Sequence, residues 1–102
     1  FNETFYAIGT TSGTISPDLN NGSIISMQLN GNITLNNLAS VVTGSSATLI
    51  IQQDATGGHT LSTTWKFASG QKTLSVSPYA IDIISVFYDG SNYYAVLSKG
   101  YA

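Results

Sequence analysis

Cysteine is absent from the 102 residues, so no disulfide or thiolate metal site holds this chain together. Arginine is absent too, which leaves Lys66, Lys72 and Lys99 as the only strongly basic residues. Three scattered cations cannot neutralise the several phosphates that nucleic-acid binding requires. The same shortage argues against an electrostatic membrane anchor. Histidine occurs once, at His59, so the three or four clustered ligands of a zinc site are lacking. Charged residues make up 8% of the chain, about a third of the usual share. No apolar run approaches the roughly 18 residues of a membrane span. No segment holds apolar residues at helical spacing for three turns without Gly, Pro or an Asn-Ser cluster intervening. Nothing at the start resembles a signal peptide. The chain opens at Phe1 without an initiator Met and reads as a piece of a longer polypeptide.

What is present is apolar and neutral. The hydrophobic fraction of 42% is too rich for a disordered tail, and the length predicts one domain large enough to bury a core. Ser, Thr, Asn and Gln fill the stretches between apolar residues, a make-up suited to an extracellular or virion surface. Strand signals lie at 4–8, 14–16, 23–29, 33–35, 47–53, 60–62, 65–67, 73–76, 80–88 and 93–98. They are short, rich in Ile, Val, Thr and Tyr, and punctuated by turn residues at the spacing of sandwiches and barrels. The fold class is therefore all-β. No internal repeat is apparent.

Two hairpins can be specified further. A three-residue loop at Asn30-Gly31-Asn32 pairs Leu29 with Ile33 and Met27 with Leu35, which puts all four on one face; Asn32 would take the left-handed position. A two-residue turn would split them between faces. The second hairpin turns through Asp89-Gly90-Ser91-Asn92, so that Tyr88 faces Tyr93, Val86 faces Ala95 and Ile84 faces Leu97. Its other face carries Phe87 with Tyr94, Ser85 with Val96 and Ile83 with Ser98. Both faces are substantially apolar, whereas a sandwich strand normally has one wet face. The second face needs a cover, and in so small a chain another subunit is the expected one.

Catalytic constellations are missing. His59 sits in Thr56-Gly57-Gly58-His59-Thr60, a loop signal without the nucleophile and carboxylate of a triad. Asp54 and Asp89 precede turn residues, where a carboxylate closes the turn by accepting backbone N–H groups. Asp82 interrupts the apolar run Ala80-Ile81-Asp82-Ile83-Ile84. Buried there, it must find backbone donors, a hydroxyl or a Lys. Among the aromatic residues core packing is the default; Trp65, beside Lys66 and after Ser62-Thr63-Thr64, is the ring to test first for sugar stacking.

The second half of the chain carries a resemblance. Ile51-Gln52-Gln53-Asp54-Ala55-Thr56-Gly57-Gly58-His59-Thr60-Leu61, Trp65-Lys66-Phe67, Ala80-Ile81-Asp82-Ile83-Ile84-Ser85 and Tyr88-Asp89-Gly90-Ser91-Asn92-Tyr93-Tyr94-Ala95-Val96-Leu97-Ser98 follow in that order. With Leu29-Asn30-Gly31-Asn32-Ile33-Thr34-Leu35, they resemble a C-terminal domain common in tailed-phage structural proteins. Those include tail-fibre, receptor-binding, and head-fibre or decoration components. The likeness covers about residues 21–98; no single motif is specific, and their order and spacing carry it. It implies an antiparallel, jelly-roll-like β-sandwich that assembles as a homotrimer at the end of a fibre or on the capsid, C-terminal in its parent chain. Where members carry a basic residue after the Gly-Gly pair this chain has His59. Ala68-Ser69-Gly70-Gln71-Lys72 replaces their usual Gly/Pro-rich loop. Such loops are where surface specificity differs, so no receptor transfers, nor does any catalytic residue or cofactor.

The expectation is a non-enzymatic virion module at the phage particle surface, extracellular when free. It would be a trimeric fibre, spike or decoration tip that touches other virion proteins and a host surface glycan or receptor. Subunit contact is expected at Ile83, Phe87, Tyr94 and Val96, and surface or glycan contact at Trp65, Lys66 and His59. The alternatives are a purely architectural capsid or tail decoration domain and a carbohydrate-binding module.

Overall fold

The computed structural model describes residues 2–102. Among them seven strands form one mixed sheet: β1 (Phe5–Ile15), β2 (Ile24–Leu35), β3 (Ser46–Gln53), β4 (Leu61–Thr63), β5 (Lys66–Phe67), β6 (Ile81–Tyr88) and β7 (Tyr93–Tyr101). No α-helix occurs among the described residues, and a single 3-10 turn covers Ala68–Gly70. The chain is all-β.

The strand pairing is not that of the antiparallel jelly-roll-like sandwich expected from the sequence. β1, β2 and β3 pair in parallel, with Phe5 opposite Ile24 and Ile24 opposite Thr48. The second half of β2 pairs in parallel with β1 on one side and with β4 on the other, so Gly13, Ile33 and Leu61 stack in line. Three successive coils of chain thus lie one on another in a solenoid-like arrangement, offset by roughly 20–30 residues, the period of such repeats. The sequence shows no repeat because the corners differ. Ser12 alone turns the first coil, 30–32 turn the second, and 54–60 turn the third.

The hairpin expected at 30–32 is therefore a corner within β2. Asn32 does not take a left-handed conformation. Its side-chain oxygen accepts the Thr60 amide at 2.9 Å, and the Ile33 amide bonds the Thr60 carbonyl at 2.9 Å, so 30–32 fasten the second coil to the third. Gly31 makes the close approach possible, since a Cβ there would lie 3.0 Å from the Ser12 Cβ. Met27, Leu29, Ile33 and Leu35 do share one buried face, reached by stacking rather than by folding back.

β6 caps the third coil by pairing antiparallel with β3, and the β6–β7 hairpin has the register read from the sequence: Tyr88 opposite Tyr93, Phe87 opposite Tyr94, Ser85 opposite Val96. The buried apolar side chains form one cluster, with Ile25, Leu29, Leu49 and Ile84 at its centre. At one end Trp65 stacks on Tyr93 with ring centroids 5.2 Å apart, and the Tyr93 hydroxyl accepts the Leu38 amide at 3.1 Å.

Two polar side chains lie inside. Asp82, 2% exposed, sits where β6 slips register against β7; it accepts the Ser75 amide at 2.7 Å and the Gly100 amide at 2.9 Å. Gln53 donates to the Ser75 and His59 carbonyls and accepts the His59 amide. These bonds explain why 73–76, expected as a strand, are not one. Backbone groups of Ser75 go to buried side chains instead of a neighbouring strand.

Removing the Asp82 carboxylate strands two amides in the interior. Asp82→Ala should cost about 3 kcal/mol of stability, seen as a lower urea midpoint at unchanged m value.

Candidate functional site

Alternation along each strand fixes what faces outward as firmly as what faces inward. One row across the sheet runs Phe5, Ile24, Thr48, Ser85, Val96, and the next runs Ala7, Ser26, Ile50, Ile83, Ser98. A shorter row runs Ser46, Phe87, Tyr94, Lys66. Lys66 is the sole charged side chain in these three rows. Phe87, Tyr94 and Val96 are 46%, 45% and 51% exposed, which is unusual for residues so apolar on a paired sheet. They line a shallow groove of about 380 Å3 with Thr48, Ser85 and Glu3. Glu3 is held at the rim by a 2.9 Å hydrogen bond from the Ser23 hydroxyl.

The four residues expected at a subunit contact, Ile83, Phe87, Tyr94 and Val96, thus lie on one outward face. Phe5, Ile24 and Ile50 extend that face and escaped the sequence reading. Their signal is the alternation in 24–28 and 48–52, but it points nowhere until the parallel register is known.

The residues expected at a glycan contact do not converge. Trp65 is 4% exposed and stacked on Tyr93, so it offers no platform to a sugar. The polar stretch before it misled, because it belongs to the outer side of β4 and its turn while Trp65 closes the core. Lys66 is exposed on β5, opposite Tyr94. His59 is half-buried on the 54–60 corner, its Nε2 2.9 Å from an Asp54 oxygen.

The carboxylates are occupied by backbone. Asp54 accepts the Thr56 and Gly57 amides, and Asp89 accepts those of Ser91 and Asn92, as expected of turn-closing residues. Desolvation pushes the Asp54 carboxyl up, but the His59 ring and the Gly57 and Thr56 amides outweigh it and hold it below the ordinary value. The Asn92 amide, then that of Ser91, holds Asp89 low. Among the described residues no three His, Cys, Asp or Glu side chains gather as a metal site would require.

An all-β chain with a neutral outward face matches, over residues 10–93, the model of a family described as "Putative phage tail fibre C-terminal domain". The chain belongs to that family. It is a structural module of a phage tail fibre, located in the virion and associated with other virion proteins. Of the tailed-phage roles that the resemblance offered, tail fibre is the one this match supports. No curated protein and no solved structure gives a significant match.

Two outcomes check the geometry. Trp65→Ala should lower stability by about 3–5 kcal/mol, as for any large buried ring, whereas Val96→Thr should shift the urea midpoint of the isolated chain little. A carboxyl with a lowered folded pKa adds stability at neutral pH that disappears as pH falls through that value. The Asp89 carboxyl, followed by NMR, should accordingly titrate below the usual Asp range, with the hairpin loosening only as it protonates.

Proposed function

We propose that these 102 residues act as one non-enzymatic domain at the C-terminal end of a tail fibre protein, self-associating as a homotrimer through the outward sheet face. The observation that carries this reading is the chemistry of that face. A solvated sheet face ordinarily alternates to polar and charged residues, yet here Phe87, Tyr94, Val96, Ile83 and Ile50 stand outward with Lys66 as the single charge of the rows. Contiguous apolar surface of this kind marks an interaction site. Three copies around an axis would cover it and leave the corner loops at the surface. Those loops would meet the host envelope, where three copies turn a weak single contact into firm attachment. The spent carboxylates and the single turn histidine support the absence of catalysis.

Sedimentation equilibrium of the domain at micromolar concentration should give a trimer. Phe87→Ser combined with Val96→Asp should give a monomer with an unchanged far-UV spectrum. A wild-type chain that sediments as a monomer overturns the assembly reading. Excess free domain should slow phage adsorption to its host; no effect would leave a purely architectural role.

A further inference from the structure

Two buried polar side chains are devoted to holding one irregular segment. Gln53 and Asp82 between them bind the Ser75 amide, the Ser75 carbonyl and both backbone groups of His59. The Gly58 amide adds a 2.8 Å bond to the Val76 carbonyl. The chains run so close that a Cβ on Gly57, whose φ is 70°, would lie 2.5 Å from the Val76 oxygen. Burying polar groups is costly unless every bond is made. Here the bonds lock the 54–60 corner against 71–79, and neither segment can shift without breaking them.

Between these two locked segments lies a cleft of about 210 Å3 lined by His59, Thr60, Leu61, Lys72, Thr73, Leu74 and Val76. It is the size of a single sugar ring rather than of a drug-sized ligand, whose pockets start at about 300 Å3. Leu61, Leu74 and Val76 supply an apolar patch, and Thr60 and Thr73 supply hydroxyls. Lys72 is one of only three Lys in the chain. Among the described residues it pairs with no carboxylate. Its one bond is to the Thr63 carbonyl at 3.2 Å, which leaves two of its three N–H groups free. Nε2 of His59 faces the Asp54 carboxylate at 2.9 Å, and Nδ1 bonds to no protein group among the described residues.

The geometry points to this cleft as a binding site for an acidic monosaccharide unit. The carboxylate or phosphate of the sugar meets Lys72, a hydroxyl meets His59 Nδ1, others meet Thr60 and Thr73, and the CH face rests on Leu61, Leu74 and Val76. This names the ligand class for the attachment part of the proposed function and is independent of the trimer.

The test is an amide NMR titration of the whole chain with sodium glucuronate, glucose 6-phosphate, glucose and inorganic phosphate in parallel. Glucuronate and glucose 6-phosphate should shift amides at 58–61 and 72–76, while glucose and phosphate alone bind more weakly. Lys72→Gln should weaken glucuronate about tenfold, the share of one charge-assisted bond, and the control Lys99→Gln should not. Val76→Glu, a change at an exposed rim position, should abolish binding at an unchanged urea midpoint. No shift with either acidic sugar, equal binding by Lys72→Gln, or phosphate binding as well as the sugars overturns the proposal. If the acidic sugars fail while the free domain still blocks adsorption, attachment stands and this cleft is not its site.

Discussion

Each coil of this chain keeps its inward side chains dry only while the next coil lies hydrogen-bonded directly against it. Ile25 has Leu49 and Met27 has Ile51 directly opposite in the coil above because β2 and β3 run parallel in register. Shifting that ladder by one residue would turn Ile25, Met27 and Leu29 outward together. Parallel pairing cannot be closed by a tight turn, so the connections must be long and must themselves be fastened. The Asn32 bonds to Thr60, the Tyr93 hydroxyl on the Leu38 amide and the Asp82 and Gln53 bonds to 75 and 59 all serve this need. Each uses a neutral or singly charged side chain where a helical protein would use packing.

The low charge of the chain follows from the same constraint. Asp54, Asp82 and Asp89 carry much of the negative charge, and each oxygen named above faces backbone amides at turns or register slips. Charges are spent on the backbone rather than on solubility, which falls to Ser, Thr, Asn and Gln. A surface so composed has little long-range electrostatic repulsion between copies. Such a chain tolerates its like at close range more readily than one covered with carboxylates.

How much could be seen beforehand depended on distance along the chain. From Ile83 to Ser98 the β6–β7 hairpin was legible to the residue, because its turn is short and its alternation unbroken; the slip between Ile81 and Ile83 was not. The turn roles of Asp54 and Asp89 and the satisfaction of Asp82 were legible for similar reasons: each bond partner is either local or required by burial. The parallel stack was not. Its partners lie roughly 20 or more residues apart, the corners at 12, 30–32 and 54–60 share no length, and 30–32 satisfy the chemistry of a hairpin loop as well as that of a corner. Trp65 was misplaced because a polar stretch before a ring looks the same whether the ring turns in or out. The outward face was half legible: its hairpin part followed from local register, and its extension to Phe5, Ile24 and Ile50 required the stack.

The outward face and the free edge of β1 are both open surfaces of the stack, and the structure treats them differently. A long, uncharged edge strand without proline invites pairing with another chain, and β1 is such a strand. It is, however, broken twice by register shifts, at Ala7/Gly9 and Thr11/Gly13, with Gly9 at φ 89° and Gly13 at φ 79°. Bulges of this kind twist an edge away from a flat partner. Gly9 and Gly13 supply positive φ at no steric cost where a side chain would be strained. The outward face carries no such interruption across β3, β6 and β7 between Ser46 and Ile50. An edge made irregular beside a face left flat and neutral favours association through side chains over association through backbone. Contact that obeys a closed rotational symmetry stops at a defined number of copies, where head-to-tail contact that does not close extends without limit.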